Sequence, residues 1–270
     1  MAQVACLGEC MIELREMADG RFSRGYGGDT LNTAVYLARL GVAVDYVTAL
    51  GDDLWSDEML AGWAAEGVGT GQVARLPGRV PGLYIIQTDA RGERRFSYWR
   101  DSAPARALFD GSETADIVAA LPSYDLLYFS GITLSLYGDA GRARFVKVLD
   151  GARAQGRRIA FDTNFRPHGW PDRPVAQAAY GEALGRADVV LASIEDLQLL
   201  FGGENPARRL FDRPAAEVVL KSPEPACRVV TADGVDEVVA AQPVARVVDT
   251  TAAGDSFAAA YLANRLAGAG

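Results

Sequence analysis

Short apolar runs alternate with segments of helical periodicity from about residue 120 onward. The runs predict strands at 125–130, 158–162, 189–192 and 218–221, and the intervening segments predict helices at 142–154, 175–186 and 196–201. Such alternation is typical of βαβ units, whose parallel sheet is covered by helices on both faces. Ligands of these sheets bind beyond the carboxyl ends of the strands, so the polar residues that follow the strands are candidate site residues.

The first hundred residues have a different pattern, in which β-like alternation is interrupted by glycines. Residues 83–88 and 94–99 predict a hairpin around a turn at 89–92, and residues 13–26 show a second β-like stretch. We expect these segments, about 13–26 and 80–100, to form a small sheet that projects from the main domain as a lid. The alternative is an ordinary hairpin at the edge of the main sheet.

The strongest local signal is the string DTTAAGDSF at 249–257, which a strand-like run at 246–248 precedes and a helical run at 256–266 follows. The small residues Ala252, Ala253 and Gly254 allow the backbone to approach a ligand, and the helix start adds free N–H groups and a positive dipole end. Together these features predict an anion hole. Asp255 at its mouth could accept a proton from an attacking hydroxyl. The alternative is that Asp255 only caps the helix.

Composition narrows the classes of function. Apolar residues make up 49% and charged residues 23% of the 270-residue chain, a mixture that supports a buried core. A net charge of −8 argues against nucleic-acid binding, because phosphate neutralisation needs a basic face. Apolar stretches are too short for a membrane helix, and the N-terminal residues read as a strand, so we expect a cytoplasmic protein. Three cysteines without a CxxC motif and the single His168 predict reduced thiols and no permanent metal site.

These motifs resemble the ribokinase-like (PfkB-type) carbohydrate kinases. The family signature DTTGAGDSF differs from residues 249–257 only at Ala252, and GGDTLNTAVYLA at 27–38 is similar to the family's N-terminal sugar-binding segment. Matches occur in the expected order over nearly the whole chain, 1–270. The resemblance implies a three-layer α/β/α fold with a mainly parallel central sheet and a small β-sheet lid. It also implies ATP as phosphoryl donor, Mg²⁺ with the ATP, and a homo-oligomer, a dimer formed through the lid.

Within the family, the chain is most similar to the 2-keto-3-deoxygluconate kinases. The segments that carry this similarity are 8–14, 27–39, 81–100, 129–135, 161–167 and 249–257. The similarity implies transfer of the ATP γ-phosphoryl group to the 6-hydroxyl of this sugar acid. Two alternatives stay open: a kinase of a neutral sugar such as fructose or ribose, and a sugar-acid sensor without turnover. A NAD-binding protein is disfavoured because no GxGxxG follows the first strand.

The resemblance also assigns roles to individual residues. A sugar acid needs a cation for its carboxylate, and arginine binds carboxylates with a planar fork, so Arg100 and Arg166 are expected to set acid specificity. The full set expected at the sugar is Gly28, Asp29, Asn32, Tyr84, Tyr98, Arg100, Arg166 and Asp249, with Asp255 as general base and 252–254 as anion hole.

The nucleotide side is expected to use Asn164, Ser193, Lys221, Ala252 and Gly254. Asp196 replaces the glutamate of the family's Asn-x-x-Glu motif near magnesium. The family's glycine-containing loop after Lys221 is replaced here by Ser-Pro-Glu-Pro, so the nucleotide loop is expected to differ. Members of the family continue with further helices, which we expect to be missing after residue 270.

Overall fold

The structure is a computed structural model, which describes residues 2–17, 19–89, 94–211, 215–224, 226–247 and 249–268. The strands are β1 Gln3–Leu7, β2 Met11–Glu16, β3 Phe22–Gly27, β4 Ala43–Leu50, β5 Val73–Arg75, β6 Leu83–Thr88, β7 Arg94–Trp99, β8 Leu126–Ser130, β9 Arg158–Asp162, β10 Val189–Ser193, β11 Glu217–Lys221, β12 Ala226–Thr231 and β13 Asp236–Ala240. The helices are α1 Asp29–Arg39, α2 Leu54–Ala65, α3 Ala115–Ala120, α4 Gly131–Leu136, α5 Asp139–Ala154, α6 Arg173–Leu184, α7 Ile194–Phe201, α8 Arg208–Phe211 and α9 Ala253–Leu266.

The described strands form a large sheet and a small one. The large sheet has the order β13-β12-β11-β10-β9-β8-β1-β4-β5, and its strands are parallel except for β12 and β13, which pair antiparallel at one edge. The predicted strands in this part of the chain are confirmed with small changes at their ends. The resulting parallel sheet brings the carboxyl ends of β1, β8, β9, β10 and β11 to one side, which is where ligands of such sheets bind.

The two faces of the central sheet are covered by separate hydrophobic clusters. Strand β8 shows the division, because Leu127 and Phe129 join the cluster that contains residues of α5 and α6. Its other residues, Leu126 and Tyr128, join the cluster that contains residues of α1 and α9. Burial on both faces explains why β8 is a continuous apolar run, without the alternation of a half-exposed strand. The fold is the expected three-layer α/β/α arrangement.

The small sheet, called the lid below, has the order β3-β2-β6-β7. Its strands β6 and β7 pair antiparallel with Tyr84 opposite Tyr98, as the hairpin prediction requires. Of the predicted turn at 89–92, residues 90–92 lie outside the described residues. The lid connects to the central sheet through four crossings of the chain, at residues 8–10, 28, 76–82 and 100–103. The prediction of a small separate sheet is therefore confirmed.

Two features near the C-terminus differ from the expectations. The predicted strand at 246–248 is wrong, because residues 246 and 247 have no regular structure and Val247 is 67% exposed; Val248 lies outside the described residues. The edge of the sheet is instead occupied by β12 and β13, which the apolar pattern did not predict and whose residues are only partly buried or exposed. Among the described residues, no helix is long and apolar enough to cross a membrane.

Candidate active site

A cleft of about 520 Å³ lies between the carboxyl edge of the central sheet, the starts of α1 and α9, and the lid. It brings together thirteen of the fifteen residues that the sequence predicts for the site. These are Gly28, Asp29, Asn32, Tyr84, Tyr98, Asn164, Arg166, Ser193, Lys221, Ala252, Ala253, Gly254 and Asp255.

Asp255 lies in the first turn of α9, directly after a tight backbone turn. Ala252 precedes the helix with a φ of 58°, a left-handed conformation that is uncommon for residues other than glycine. The helix therefore begins abruptly, and Ala252, Ala253 and Gly254 at its start line the cleft together with Asp255. Because alanine has a Cβ, this conformation is strained at Ala252, but the small side chain leaves room for a ligand.

Helix α1 holds the Asp255 carboxylate and backbone. Asn32 donates a hydrogen bond from Nδ2 to Asp255 Oδ2 at 2.8 Å, and Thr33 donates from Oγ1 to the Asp255 carbonyl oxygen at 3.3 Å. Burial and, to a smaller extent, the nearby Asp29 carboxylate raise the pKa of Asp255 to about 7, against the hydrogen bond from Asn32. A carboxyl group with a pKa near neutrality is suited to general base catalysis.

Lys221, at the end of β11, brings a positive charge to the same place. Its Nζ lies 3.5 Å from Asp162 Oδ2, and a Cβ added to Gly254 would lie 3.8 Å from that nitrogen. Burial raises the pKa of Asp162 to about 6, and Lys221 opposes this shift. The ammonium group thus lies next to the anion hole, as expected for a residue that contacts the phosphates of a nucleotide.

Asn164 connects the end of β9 with the start of α1. Its Nδ2 donates to Asp29 Oδ2 at 2.7 Å, and its backbone N–H donates to Asp162 Oδ1 at 3.2 Å. Asn164 has a φ of 23°, a strained conformation that asparagine tolerates better than most residues. Strained residues cluster at functional sites, which agrees with the predicted role of Asn164.

The end of β10 positions two further polar residues. Ser193 caps α7 by accepting a hydrogen bond from the Asp196 backbone N–H at 3.1 Å. Asp196 accepts a second bond, from Thr163 Oγ1 at 2.9 Å, and lies 3.5 Å from Arg166 Nη1. The Arg166 side chain is 59% exposed, so its guanidinium remains accessible to a ligand in the cleft.

The lid contributes an aromatic wall to the cleft. The rings of Tyr84, Phe96 and Tyr98 lie within 5.9–6.3 Å of one another, and all three line the cleft. Tyr84 donates its hydroxyl hydrogen to Glu13 of the neighbouring strand, which fixes the orientation of this ring. A side chain at Gly27 would collide with the Tyr84 hydroxyl, so a larger residue there would have to displace the Tyr84 ring. Such a wall offers flat apolar surface with polar tips, as sugar binding requires.

Two predicted residues do not line the cleft. Arg100 forms an ion pair with the buried Glu9 behind the lid, and its side chain is only 18% exposed. Asp249 lies in the exposed loop before the anion hole, where its Oδ1 accepts hydrogen bonds from the Thr251 backbone N–H at 2.8 Å and from the Thr251 hydroxyl at 2.7 Å. Of the two arginines that were expected to set acid specificity, Arg166 lines the cleft, while the Arg100 guanidinium is paired with Glu9; its role at the sugar stays a prediction.

Other lining residues had no individual role in the sequence analysis, among them Glu13, Tyr26 and Asp162. Asp162 had a usable signal, since it is a carboxylate at the carboxyl end of a continuous apolar strand, where ligands of parallel sheets bind. Glu13 and Tyr26 had none, because their positions depend on how lid strands β2 and β3 pair with each other.

Comparison with known proteins identifies the family. The family model described as "pfkB family carbohydrate kinase" matches residues 1–270, so this chain belongs to that family. It is 43% identical over 275 aligned residues to the 2-dehydro-3-deoxygluconokinase of Dickeya dadantii, covering 98% of this chain and 88% of that protein. The protein of the same name from Escherichia coli K12 is 41% identical, with 98% and 89% covered. The family predicted from the motifs is confirmed.

Solved structures agree with the fold. The PfkB protein from Polaromonas sp. JS666 is similar with a TM-score of 0.86 at 27% identity, covering all of this chain and 90% of that one. A fructokinase from Xylella fastidiosa with bound ATP has a TM-score of 0.84 at 28% identity, covering 97% and 80%. The ribokinase-like fold that the motifs implied is confirmed.

Proposed function

We propose that this protein phosphorylates the 6-hydroxyl of 2-dehydro-3-deoxygluconate (2-keto-3-deoxygluconate) with ATP. The observation that carries the proposal is the position of Asp255, which lies beside the helix start at 252–254 and in one cleft with the cations Arg166 and Lys221. In the reaction, the substrate hydroxyl gives its proton to Asp255 while its oxygen forms a bond to the γ-phosphorus. The bond from that phosphorus to the ADP oxygen breaks, and the backbone amides stabilise the transferred group.

Arg166 binds the carboxylate of the sugar acid in this proposal. Its guanidinium is exposed in the cleft and weakly held by Asp196 at 3.5 Å, so a substrate carboxylate can replace or share that contact. Tyr84 and Tyr98 cover the carbon skeleton from the lid, while Gly28, Asp29 and Asn32 face the sugar hydroxyls from α1. The relatives named 2-dehydro-3-deoxygluconokinase support this choice of substrate. A neutral-sugar kinase would have no use for the Arg166 charge.

The nucleotide occupies the side of the cleft formed by Asn164, Ser193 and Lys221. Four aspartates, at 29, 162, 196 and 255, also line the cleft, so the polyphosphate needs more positive charge than Lys221 supplies. The described residues contain no group of three or more His, Cys, Asp or Glu side chains that could hold a metal ion by itself. This donor set fits Mg²⁺ that is held mainly by the ATP phosphates, with a carboxylate such as Asp162 or Asp196 nearby. When bound, the ion neutralises charge on the phosphates.

The lid closes over the sugar and also forms the dimer interface in this proposal. Its residues Met17, Phe22 and Trp99 are 48%, 49% and 59% exposed, which is unusual for large apolar side chains in a monomer. Light scattering on the purified protein tests the dimer, and Trp99→Glu should give monomers. We also propose that the protein works in the cytoplasm, which its unpaired cysteines, among them the buried Cys6 and Cys10, support.

A coupled ADP-release assay tests the activity. The panel contains 2-keto-3-deoxygluconate, its galacto epimer, gluconate, fructose and ribose, each with ATP and Mg²⁺. We expect kcat/KM to be highest for one of the two 2-keto-3-deoxy acids. A preference for fructose or ribose would support the neutral-sugar alternative, and binding of the acid without ADP release would support the sensor.

A further inference from the structure

Glu9 lies where the four chain crossings between the central sheet and the lid meet. It follows β1 and precedes the lid strand β2, so it belongs to the first crossing. At the second crossing, a Cβ on Gly28 would overlap the Glu9 carbonyl oxygen. At the third, a Cβ on Gly82 would lie 3.0 Å from Glu9 Oε1, and at the fourth, Arg100 forms an ion pair with Glu9 Oε2. The backbone or the side chain of this one residue therefore lies against each of the other three crossings.

The Glu9–Arg100 ion pair is buried, unlike the ion pair that joins the lid to α2. Glu9 is 3% exposed, and burial raises the pKa of its carboxyl, which the guanidinium of Arg100 counteracts. By contrast, the pair of Arg24 on β3 and Glu58 on α2 has side chains that are 42% and 36% exposed. Exposed pairs hold their partners weakly, whereas breaking a buried pair leaves an uncompensated charge.

The pair lies directly behind the aromatic wall of the cleft. The Arg100 guanidinium carbon is 5.9 Å from the centre of the Tyr98 ring, and Tyr98 lines the cleft. Gly82 packs against the Cβ of Arg100 and immediately precedes β6, which carries Tyr84. A shift of the pair would therefore move both tyrosines relative to the sugar, although Glu9 itself does not line the cleft.

We propose that Glu9 is a positioning residue, which sets the lid over the sugar side of the cleft by holding Arg100. The inference takes the identity of the sugar from the proposed function, whereas the role of Glu9 in holding the lid through Arg100 does not depend on it. Glu9 acts on sugar binding through the lid, and the nucleotide side, formed by the central sheet and α9, is unaffected. Glu9 also offsets the charge of Arg100, whereas Arg166 and Lys221 line the cleft itself.

The test replaces Glu9 by glutamine, which keeps the shape and removes the charge. We expect the KM for the accepted sugar to rise about tenfold, as loss of a buried charge pair predicts, while the KM for ATP changes less than twofold. Backbone hydrogen exchange should become faster in β2, β6 and β7 and stay unchanged in β8 and β9. Asp19→Asn is the matched control, because it removes an exposed lid pair with Arg21, and it should leave every readout unchanged.

A double variant tests whether Glu9 acts through Arg100. Glu9→Gln combined with Arg100→Met removes both charges, so its sugar KM should be no higher than that of Arg100→Met alone. This comparison also serves if the single Glu9 variant does not fold, because the double variant buries no unpaired charge. The proposal would be overturned if the rise of the sugar KM in the double variant equalled the product of the rises in the two single variants.

Two further outcomes are decisive. If backbone hydrogen exchange in the lid strands of Glu9→Gln occurs at the wild-type rate, Glu9 does not hold the lid and the proposal is overturned. An equal rise of the sugar and ATP KM values also overturns it, because such a rise indicates that the whole structure has loosened. Failure of the proposed function is distinguishable, because exchange is measured without ligand and the KM is measured for whichever sugar wild type accepts. If wild type prefers fructose, the proposed substrate is refuted, while faster hydrogen exchange in the lid of Glu9→Gln still supports the proposed role of Glu9.

Discussion

Asp255→Asn should abolish turnover and at the same time stabilise the protein at alkaline pH. The amide keeps the shape and can still receive the hydrogen bond from Asn32, which now reaches Asp255 Oδ2 at 2.8 Å. It cannot accept the proton of the substrate hydroxyl, and loss of a general base lowers kcat by about 10²–10⁴-fold. Binding of ATP and sugar should remain close to wild type.

The stability effect follows from the raised pKa. Folding shifts the pKa of Asp255 from 3.8 to about 7, so the folded state disfavours the charged form that dominates above pH 7. Such a group destabilises the fold increasingly as pH rises from its unfolded pKa to its folded pKa. A shift of this size corresponds to at most about 4 kcal/mol, which solvent access at the cleft reduces to roughly 1–2 kcal/mol. The neutral amide lacks this penalty.

Thermal unfolding at two pH values, together with the ADP-release assay, measures both effects. We expect Asp255→Asn to raise Tm by about 2–6 °C at pH 8, as this gain implies for a chain of this length, and to leave Tm nearly unchanged at pH 4. In wild type, log kcat/KM should fall by about one unit per pH unit below pH 7, because the base must be deprotonated. A variant that unfolds at the wild-type temperature at both pH values and keeps activity within threefold would refute the reasoning.

Three further variants separate the parts of the cleft. Arg166→Leu should lower kcat/KM for the sugar acid about tenfold and leave the ATP KM unchanged. Tenfold is about the low end for loss of a charge-assisted hydrogen bond, because the Arg166 side chain is exposed. A similar loss of kcat/KM on fructose would contradict a role of Arg166 in binding the acid. Lys221→Met should raise the ATP KM about tenfold and spare the sugar KM, which initial-rate kinetics with each substrate varied can check. Gly28→Ala should lower Tm by a few degrees, because the added methyl group overlaps the Glu9 carbonyl oxygen at a cost of about 1–3 kcal/mol. Gly62→Ala is the control and should not lower Tm, because the space around Gly62 is open.

The sequence predicts the elements whose pattern is local. Strand β9 and both lid hairpin strands occur at the predicted residues, because apolar runs and alternation report burial directly. Asp255 could be located because its anion hole is built from one continuous string, and the same holds for Gly28 at the start of α1. The edge strands β12 and β13 could not be predicted, since β12 is partly buried throughout and β13 is exposed throughout, so neither shows an alternating burial pattern.

The fate of Arg100 depends on a contact that local patterns do not contain. An arginine after an aromatic strand could pair with a substrate or with the protein, and the protein group that contacts it in the structure is Glu9, which is far away in sequence. Glu9 itself looked like an ordinary polar residue after a strand. Its burial results from four chain crossings that meet in three dimensions, so the sequence offered no signal for the pair.

The position of the base depends on contacts at both ends of α9. At its start, Asn32 and Thr33 of α1 hold Asp255 across 223 and 222 residues of sequence. Toward its end, the buried Glu217 of β11 accepts a hydrogen bond from Tyr261 and pairs with Arg265 at 2.7 Å. Because β11 also carries Lys221, these contacts set the base and the cation of the nucleotide side relative to each other within the central domain. The lid can then move on its own attachments without displacing either group, so sugar binding and phosphoryl transfer can be altered separately by mutation.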